Sequence, residues 1–149
     1  MVRKGEEEIL EAMKGAKTAS EMVDSWLTQR PGYSWPPGTD PLELYIKRKP
    51  EMVYTYAHNQ LTQMVERGIL EPKTRYLVIL GCYMAAEHWK GVLHQVCNAK
   101  AAGVTEEEIM EVAHIVCYAA GKAKLSVTST VLKDVFESEE YKNTRRLDE

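Results

Sequence analysis

The sequence predicts an all-α protein, a compact helical bundle of about six to seven helices. No segment alternates apolar and polar residues over a strand-like length with β-branched enrichment, so strands have no support. Several segments instead repeat apolar residues every three or four positions, as a helix with one buried face does. The 149 residues suffice for one domain with a core and are too few for two comfortable ones.

The charge and hydropathy of the sequence argue against two classes of partner, nucleic acids and membranes. The formal net charge is -3, and the one run of three basic residues, 47–49, lies beside Pro50 as in a solvated loop. Nucleic-acid binding, which needs a basic stripe, is therefore not expected. The longest apolar run, 77–86, is shorter than the roughly 20 residues of a membrane span, so no membrane partner is expected.

Cysteine usage and the N-terminal residues favour a cytoplasmic location. Arg3 and Lys4 are followed at once by three glutamates, which is unlike a signal peptide. The 3 cysteines are odd in number and far apart, so a disulfide framework is not predicted. Cys82 and Cys117 lie in apolar stretches and are interpreted as inert core thiols.

The N-terminal half contains two predicted helices around an irregular segment. A helix is predicted over 6–27 with a break near Gly15. A proline-rich loop follows up to residue 41, and its Tyr33 and Trp35 either pack across the domain or cover a site. Pro50 suits the first turn of the next helix, 50–67, which Gly68 ends.

The second half contains the strongest helix signals. Pro72 opens a long helix predicted to run to residue 102, and Gly103 ends it in a left-handed turn. Thr105 and Glu108 have the spacing of a capping box, and Gly121 ends or kinks the helix that they begin. A last helix spans 122–136. The predicted organisation is a helical extension with its loop (1–41), a helical domain (42–136) and a charged tail (137–149). The tail is expected to be frayed or to dock on a partner subunit.

A family resemblance rests on phrases that occur in a fixed order. They are the segment 70–77 (LEPKTRYL), Ala99 four residues before Gly103, the segment 103–109 (GVTEEEI), Glu111-Val112, and the segment 118–121 (YAAG). From 70 to about 132 the chain resembles the carboxymuconolactone decarboxylase family, in the alkylhydroperoxidase-D-like superfamily, and 51–68 looks like the helix that precedes this motif. The resemblance implies an alkylhydroperoxidase-D-like bundle that assembles as a homo-oligomer, a trimer or hexamer.

The redox branch of that family has a Glu, a Cys-x-x-Cys and a His on the long helix. In that branch a thiolate attacks the peroxide, a cysteine one turn away closes the disulfide, and Glu and His relay protons. The four positions fall here on Tyr76, His88, Gly91 and Gln95, so both cysteines are missing. Cys97 has no cysteine one turn away. Peroxidase activity of the Cys-x-x-Cys type is therefore not expected.

Polar residues nevertheless remain on the same helix. If the helix is continuous, Glu87, Gly91 and His94 share one stripe, while His88 and Gln95 lie on the adjacent one. The predicted catalytic residues are His94, His88 and Glu87. The predicted substrate-binding residues are Arg75, Gly91, Gln95 and His58. We expect Arg75 to bind a carboxylate, with a structural ion pair as the alternative.

Each of these candidates also has a purely structural interpretation. A lone histidine on a packed helix is more often an interface residue than a catalyst, which applies to His94. Gly91 is also consistent with a close helix crossing, and Glu87 and His88 with an exposed surface. His58 could line the same cavity or belong to the core or surface. A metal site from Glu87, His88 and His94 would be spread over two faces, so no metal is predicted.

Three function classes remain open. The first is a cofactor-free lyase of the decarboxylase type, acting on a small carboxylated or lactone substrate. The second is a divergent peroxidase or disulfide reductase that uses Cys97 and an external thiol. The third is a non-catalytic oligomeric binding protein.

Overall fold

The computed structural model describes residues 43–49, 52, 55 and 68–146. The chain divides into two compact units, 1–70 and 71–149. In the first unit a helix, α1, spans Glu43–Arg48. The predicted N-terminal helix, the loop with Tyr33 and Trp35, and His58 lie outside the described residues. The predicted domain boundaries stay predictions.

The second unit is built from helices alone in its described part, which confirms the all-α prediction. Its elements are α2 (Pro72–Ala85), α3 (Trp89–Ala101), α4 (Glu106–Ala120), α5 (Lys124–Glu137) and α6 (Glu139–Asn143). Helix α2 packs against α3 and α4, α4 packs against α5, and α6 lies on α3 and α5. No described helix is long and apolar enough to cross a bilayer.

The core of this unit consists of aliphatic side chains from α2, α3, α4 and α5. Its largest fully buried apolar members are Leu80, Met84, Val92, Val96, Ile109 and Leu132. Each such side chain contributes about 1.5–3 kcal/mol when it leaves water. Because the core draws on four helices, it holds the positions of α2 and α3, which carry the described candidate residues.

Several helices begin or end at the residues that the sequence predicts. Pro72 occupies the first turn of α2, and Gly103 takes a left-handed φ of 84° after α3. The capping box at the start of α4 is complete. Glu108 N–H donates to Thr105 Oγ1 at 3.2 Å, and Thr105 N–H donates to Glu108 Oε2 at 2.9 Å. Gly121, with φ 113°, ends α4.

The predicted continuous helix 72–102 is wrong. Residues 86–88 interrupt it, and Glu87 has a left-handed φ of 56°. Helices α2 and α3 pack against each other across this three-residue connection, so the chain must reverse direction there. The reversal buries apolar residues of both helices against one another, which a single straight helix could not do.

The C-terminal segment is ordered as a helix where fraying was one expectation, and its docking on a partner subunit stays a prediction. Residues 139–143 form α6, and Tyr141 is buried. Lys100 Nζ donates to the carbonyl oxygen of Tyr141 at 2.6 Å and lies 4.4 Å from the centroid of its ring. These contacts hold α6 on α3.

Candidate functional site

The described candidate residues lie on α2, on α3 and at the junction between them. Arg75 belongs to the first turn of α2. Glu87 and His88 form the junction, and Gly91, His94 and Gln95 belong to α3. Because the helix breaks at the junction, Glu87 does not share a helical stripe with Gly91 and His94, and that prediction is wrong.

His88 is the N-cap of α3. Its Nδ1 atom accepts a hydrogen bond from the backbone N–H of Gly91 at 3.0 Å. Its ring meets the Tyr83 ring edge to face, with centroids 5.2 Å apart. The imidazole therefore satisfies a backbone donor that a helix start leaves open. His88 thus has a structural role at the start of α3, and its catalytic role stays a prediction.

Gly91 leaves room for the side chain of a neighbouring residue. It is buried in the first turn of α3, and a Cβ atom there would overlap the Tyr83 ring and His88 Nδ1. Sequence reasoning missed Tyr83, because nothing in the local pattern shows that its ring folds back over the start of the next helix. The interpretation of Gly91 as a close-approach residue fits this geometry.

Glu87 forms a surface ion pair. Its side chain is 57% exposed, and its Oε1 atom contacts Lys124 Nζ at the start of α5. Lys124 Nζ also donates to the carbonyl oxygen of Ala85 at 3.3 Å. The exposed position and the ion pair favour a role in joining the junction to α5 over a role in catalysis.

Arg75 and Gln95 are the candidates that the fold buries. Arg75 is 5% exposed and Gln95 is 9% exposed, and their helices pack against each other. Burying a guanidinium is costly unless polar groups compensate for the lost hydration. His94 is half-buried with its Nδ1 atom enclosed, and both Arg75 and His94 interact with other groups of the chain. Arg75, His94 and Gln95 are thus the polar candidates that α2 and α3 bury fully or in part.

Cys97, the thiol of the redox hypothesis, is poorly placed for thiol chemistry. Cys97 is fully buried, and desolvation raises the pKa of its thiol, against a smaller opposing effect of the hydrogen bond with Thr144. Cys117 is buried as expected, but Cys82 is exposed, so its assignment to the core is wrong. A buried thiol with a raised pKa is a weak nucleophile at neutral pH.

The metal alternative fails on geometry within the described part of the chain. No group of three His, Cys, Asp or Glu side chains there is arranged to hold a metal ion. Glu87, His88 and His94 are therefore not a ligand set.

Comparison with known proteins agrees with the sequence resemblance. A family model described as the carboxymuconolactone decarboxylase family matches residues 50–134, which is more than half of the chain. No curated protein and no solved structure matches the chain significantly. The matched range includes α2, α3, α4 and most of α5.

Proposed function

Because the chain belongs to the carboxymuconolactone decarboxylase family, we propose that it is a cofactor-free lyase of the decarboxylase type. Its substrate is a small carboxylated or lactone compound. Arg75 binds a substrate carboxylate, Gln95 binds a further polar group, and His94 is the proton donor. The observation that supports this assignment is the burial of Arg75 and Gln95 on two helices in mutual contact.

The reaction proceeds by loss of carbon dioxide and protonation of carbon. The bond between the substrate and its departing carboxylate breaks, and the electron pair passes into an adjacent carbonyl as an enolate. The His94 imidazolium gives its proton to the carbon and regains one from solvent. A pairing of Arg75 with the departing carboxylate would stabilise the ground state. We therefore assign to Arg75 a carboxylate that stays in the product, which orients the substrate.

Two rival functions have less support. Redox turnover through Cys97 requires a reactive thiolate, and the burial and raised pKa of that thiol oppose it. The sequence contains no Cys-x-x-Cys motif. A purely structural role for the family fold leaves the burial of Arg75 and Gln95 to be explained by ion pairs and hydrogen bonds within the protein.

The test is carbon dioxide release from a panel of small carboxylated lactones and unsaturated dicarboxylic acids. Arg75→Lys keeps the charge and loses the planar bidentate fork, so kcat/KM should fall about 10–100-fold if 1.5–3 kcal/mol of charge-assisted binding is lost. His94→Gln should lower kcat by about 10²-fold or more. The matched controls are Arg145→Lys and His114→Gln, which change exposed residues.

Each outcome has a defined meaning. Full turnover by both Arg75→Lys and His94→Gln, with thermal stability retained, would contradict the site assignment. Peroxide turnover that Cys97→Ser abolishes would replace the lyase proposal with the redox function. Absence of turnover across the panel, with no ligand binding that depends on Arg75, would favour the non-catalytic function.

The same proposal includes assembly as a homotrimer or homohexamer. Large apolar side chains are exposed on α2 and α4: Val78 is 52%, Ile115 56% and Tyr118 85% exposed. Contact with another subunit would remove this surface from water. Light scattering after size exclusion should give three or six times the chain mass of 17.0 kDa. A monomeric mass at micromolar concentration would contradict it.

A further inference from the structure

A cavity of about 770 Å³ lies between α4 and α5 and contains none of the residues assigned to the lyase site. This volume is within the range of about 300–1,000 Å³ that small-molecule sites occupy. All of its lining residues belong to the second compact unit. The cavity is therefore a separate feature of this unit, formed where α4 packs against α5.

The cavity has a buried, largely apolar floor and an exposed mouth. Ala113, Thr128 and Leu132 form the floor, and all three are buried. Met110 and Leu125 line the cavity as well, and they are 47% and 55% exposed. A ligand with an apolar body would cover these two side chains, so binding would remove apolar surface from water.

The hydroxyl group of Thr128 is an unused polar group in this floor. Thr128 is 2% exposed, and its Oγ1 atom has no hydrogen-bond partner among the described residues. Thr130, on the same helix, satisfies its hydroxyl by donating to the carbonyl oxygen of Ser126 at 3.0 Å. A buried hydroxyl without a partner is unfavourable, and in the free protein this oxygen atom is enclosed. A ligand that makes the Thr128 side chain turn towards the cavity therefore gains a hydrogen bond that the free protein lacks.

The mouth of the cavity carries negative charge. Glu107, Glu111 and His114 line it from successive turns of α4, and no lysine or arginine lines it. In the described part of the chain neither carboxylate forms an ion pair, whereas the adjacent Glu108 pairs with Lys73 Nζ at 2.7 Å. These three residues do not form a metal site. An organic cation would neutralise the two carboxylates without requiring ligand geometry.

We propose that the cavity between α4 and α5 binds a small organic ammonium ion with an apolar body and a terminal hydrogen-bonding group. The ammonium group lies at the mouth beside Glu107 and Glu111. The apolar body contacts Leu125 and Leu132, and the terminal polar group bonds to the Thr128 hydroxyl. Two independent features support the same ligand: uncompensated carboxylates at the mouth and an unpartnered hydroxyl in the floor.

Three matched probes test the two polar features separately. Tyramine has the ammonium group, the apolar ring and a terminal hydroxyl; phenethylamine lacks the hydroxyl; 3-(4-hydroxyphenyl)propanoate replaces the ammonium group with a carboxylate. In titrations of the full chain followed by amide NMR, tyramine should bind saturably with a dissociation constant of about 1 mM or lower. Phenethylamine should bind about 5–10-fold more weakly, and the propanoate should not saturate.

Variants with matched controls locate the binding. Thr128→Val removes only the unpartnered hydroxyl, so the protein should stay folded and should bind tyramine no better than phenethylamine. Glu111→Gln should weaken both amines. Thr130→Val and Glu137→Gln, which lie outside the cavity lining, should leave both affinities unchanged. Equal tyramine binding by wild type and Thr128→Val, saturable binding of the propanoate, or no binding of either amine would overturn the proposal.

Discussion

The Nδ1 atom of His88 accepts the backbone N–H of Gly91 at 3.0 Å, and this bond closes the N-terminus of α3. The same glycine leaves room for the Tyr83 ring, which meets the His88 ring edge to face. Tyr83, His88 and Gly91, which the sequence predicts to lie along one helix, thus form the junction between two helices. The positions aligned with the family's cysteines therefore have a structural use in this chain.

The cap predicts a specific pattern of stability changes at His88. His88→Ala should lower the free energy of unfolding by about 0.5–2 kcal/mol, because Gly91 N–H loses its acceptor. His88→Asn should recover much of the loss, since asparagine is a favoured N-cap. Chemical denaturation measures both variants. Equal destabilisation by alanine and asparagine would contradict a capping role, and loss of lyase turnover in a stable His88→Asn would support a catalytic role for His88.

Gly91→Ala should destabilise the protein by about 1–3 kcal/mol, because its Cβ atom would overlap the Tyr83 ring and the side chains must shift. Gly81→Ala is the matched control. Its Cβ atom would lie 3.4 Å from Val112 Cγ1, an ordinary contact in the interior of α2. We expect Gly81→Ala to be neutral or stabilising by up to about 1 kcal/mol. Thermal unfolding of both variants checks the contrast, and similar shifts in both would refute it.

Acid should weaken the start of α4 through Glu108. The bond with Lys73, followed by the bond from Thr105 N–H, holds the pKa of Glu108 below its usual range. A depressed carboxyl pKa stabilises the fold above the ordinary value of about 4.3, and the gain disappears as pH falls through the lowered pKa. The melting-temperature difference between wild type and Glu108→Gln should therefore be largest at pH 7 and shrink below about pH 4.

Glu107→Gln is the control for this titration, because Glu107 lies in the same turn and has no ion pair with any described residue. Its difference from wild type should change less across the same pH range. A Glu108→Gln difference that stays constant down to pH 3 would show that the carboxylate charge does not contribute.

The three cysteines should differ in reactivity towards an aromatic disulfide reagent at pH 7. Cys82 is exposed, whereas Cys97 and Cys117 are buried. One thiol per chain should react rapidly in the native state, Cys82→Ser should remove that fast phase, and all three should react in denaturant. A fast phase that survives Cys82→Ser and is lost in Cys97→Ser would contradict the burial of Cys97 and revive the redox function.

The candidate site was predictable only in part. The sequence singles out Arg75 and Gln95 as polar positions on the helices of the family motif, and the fold buries both. Their role in substrate binding stays a prediction. The helix break at Glu87 and His88 could not be predicted, because the segment 85–88 (AAEH) contains neither glycine nor proline. Histidine is also not among the preferred N-cap residues, so nothing local marks the break.

The sequence by itself determined four helix ends and the family. Pro72, Gly103, the Thr105–Glu108 box and Gly121 act through their own backbone geometry or through partners within four residues, so their effect can be read without knowing the fold. Only the tertiary structure decided where the long apolar segment reverses, since that depends on which side chains α2 and α3 bury together. It also decided that Tyr83 fills the space over Gly91 and that α6 docks on Lys100. It decided as well that the buried Thr128 hydroxyl has no hydrogen-bond partner among the described residues. Each of these features depends on residues that packing brings together. The spacing of those residues along the chain does not indicate that they meet.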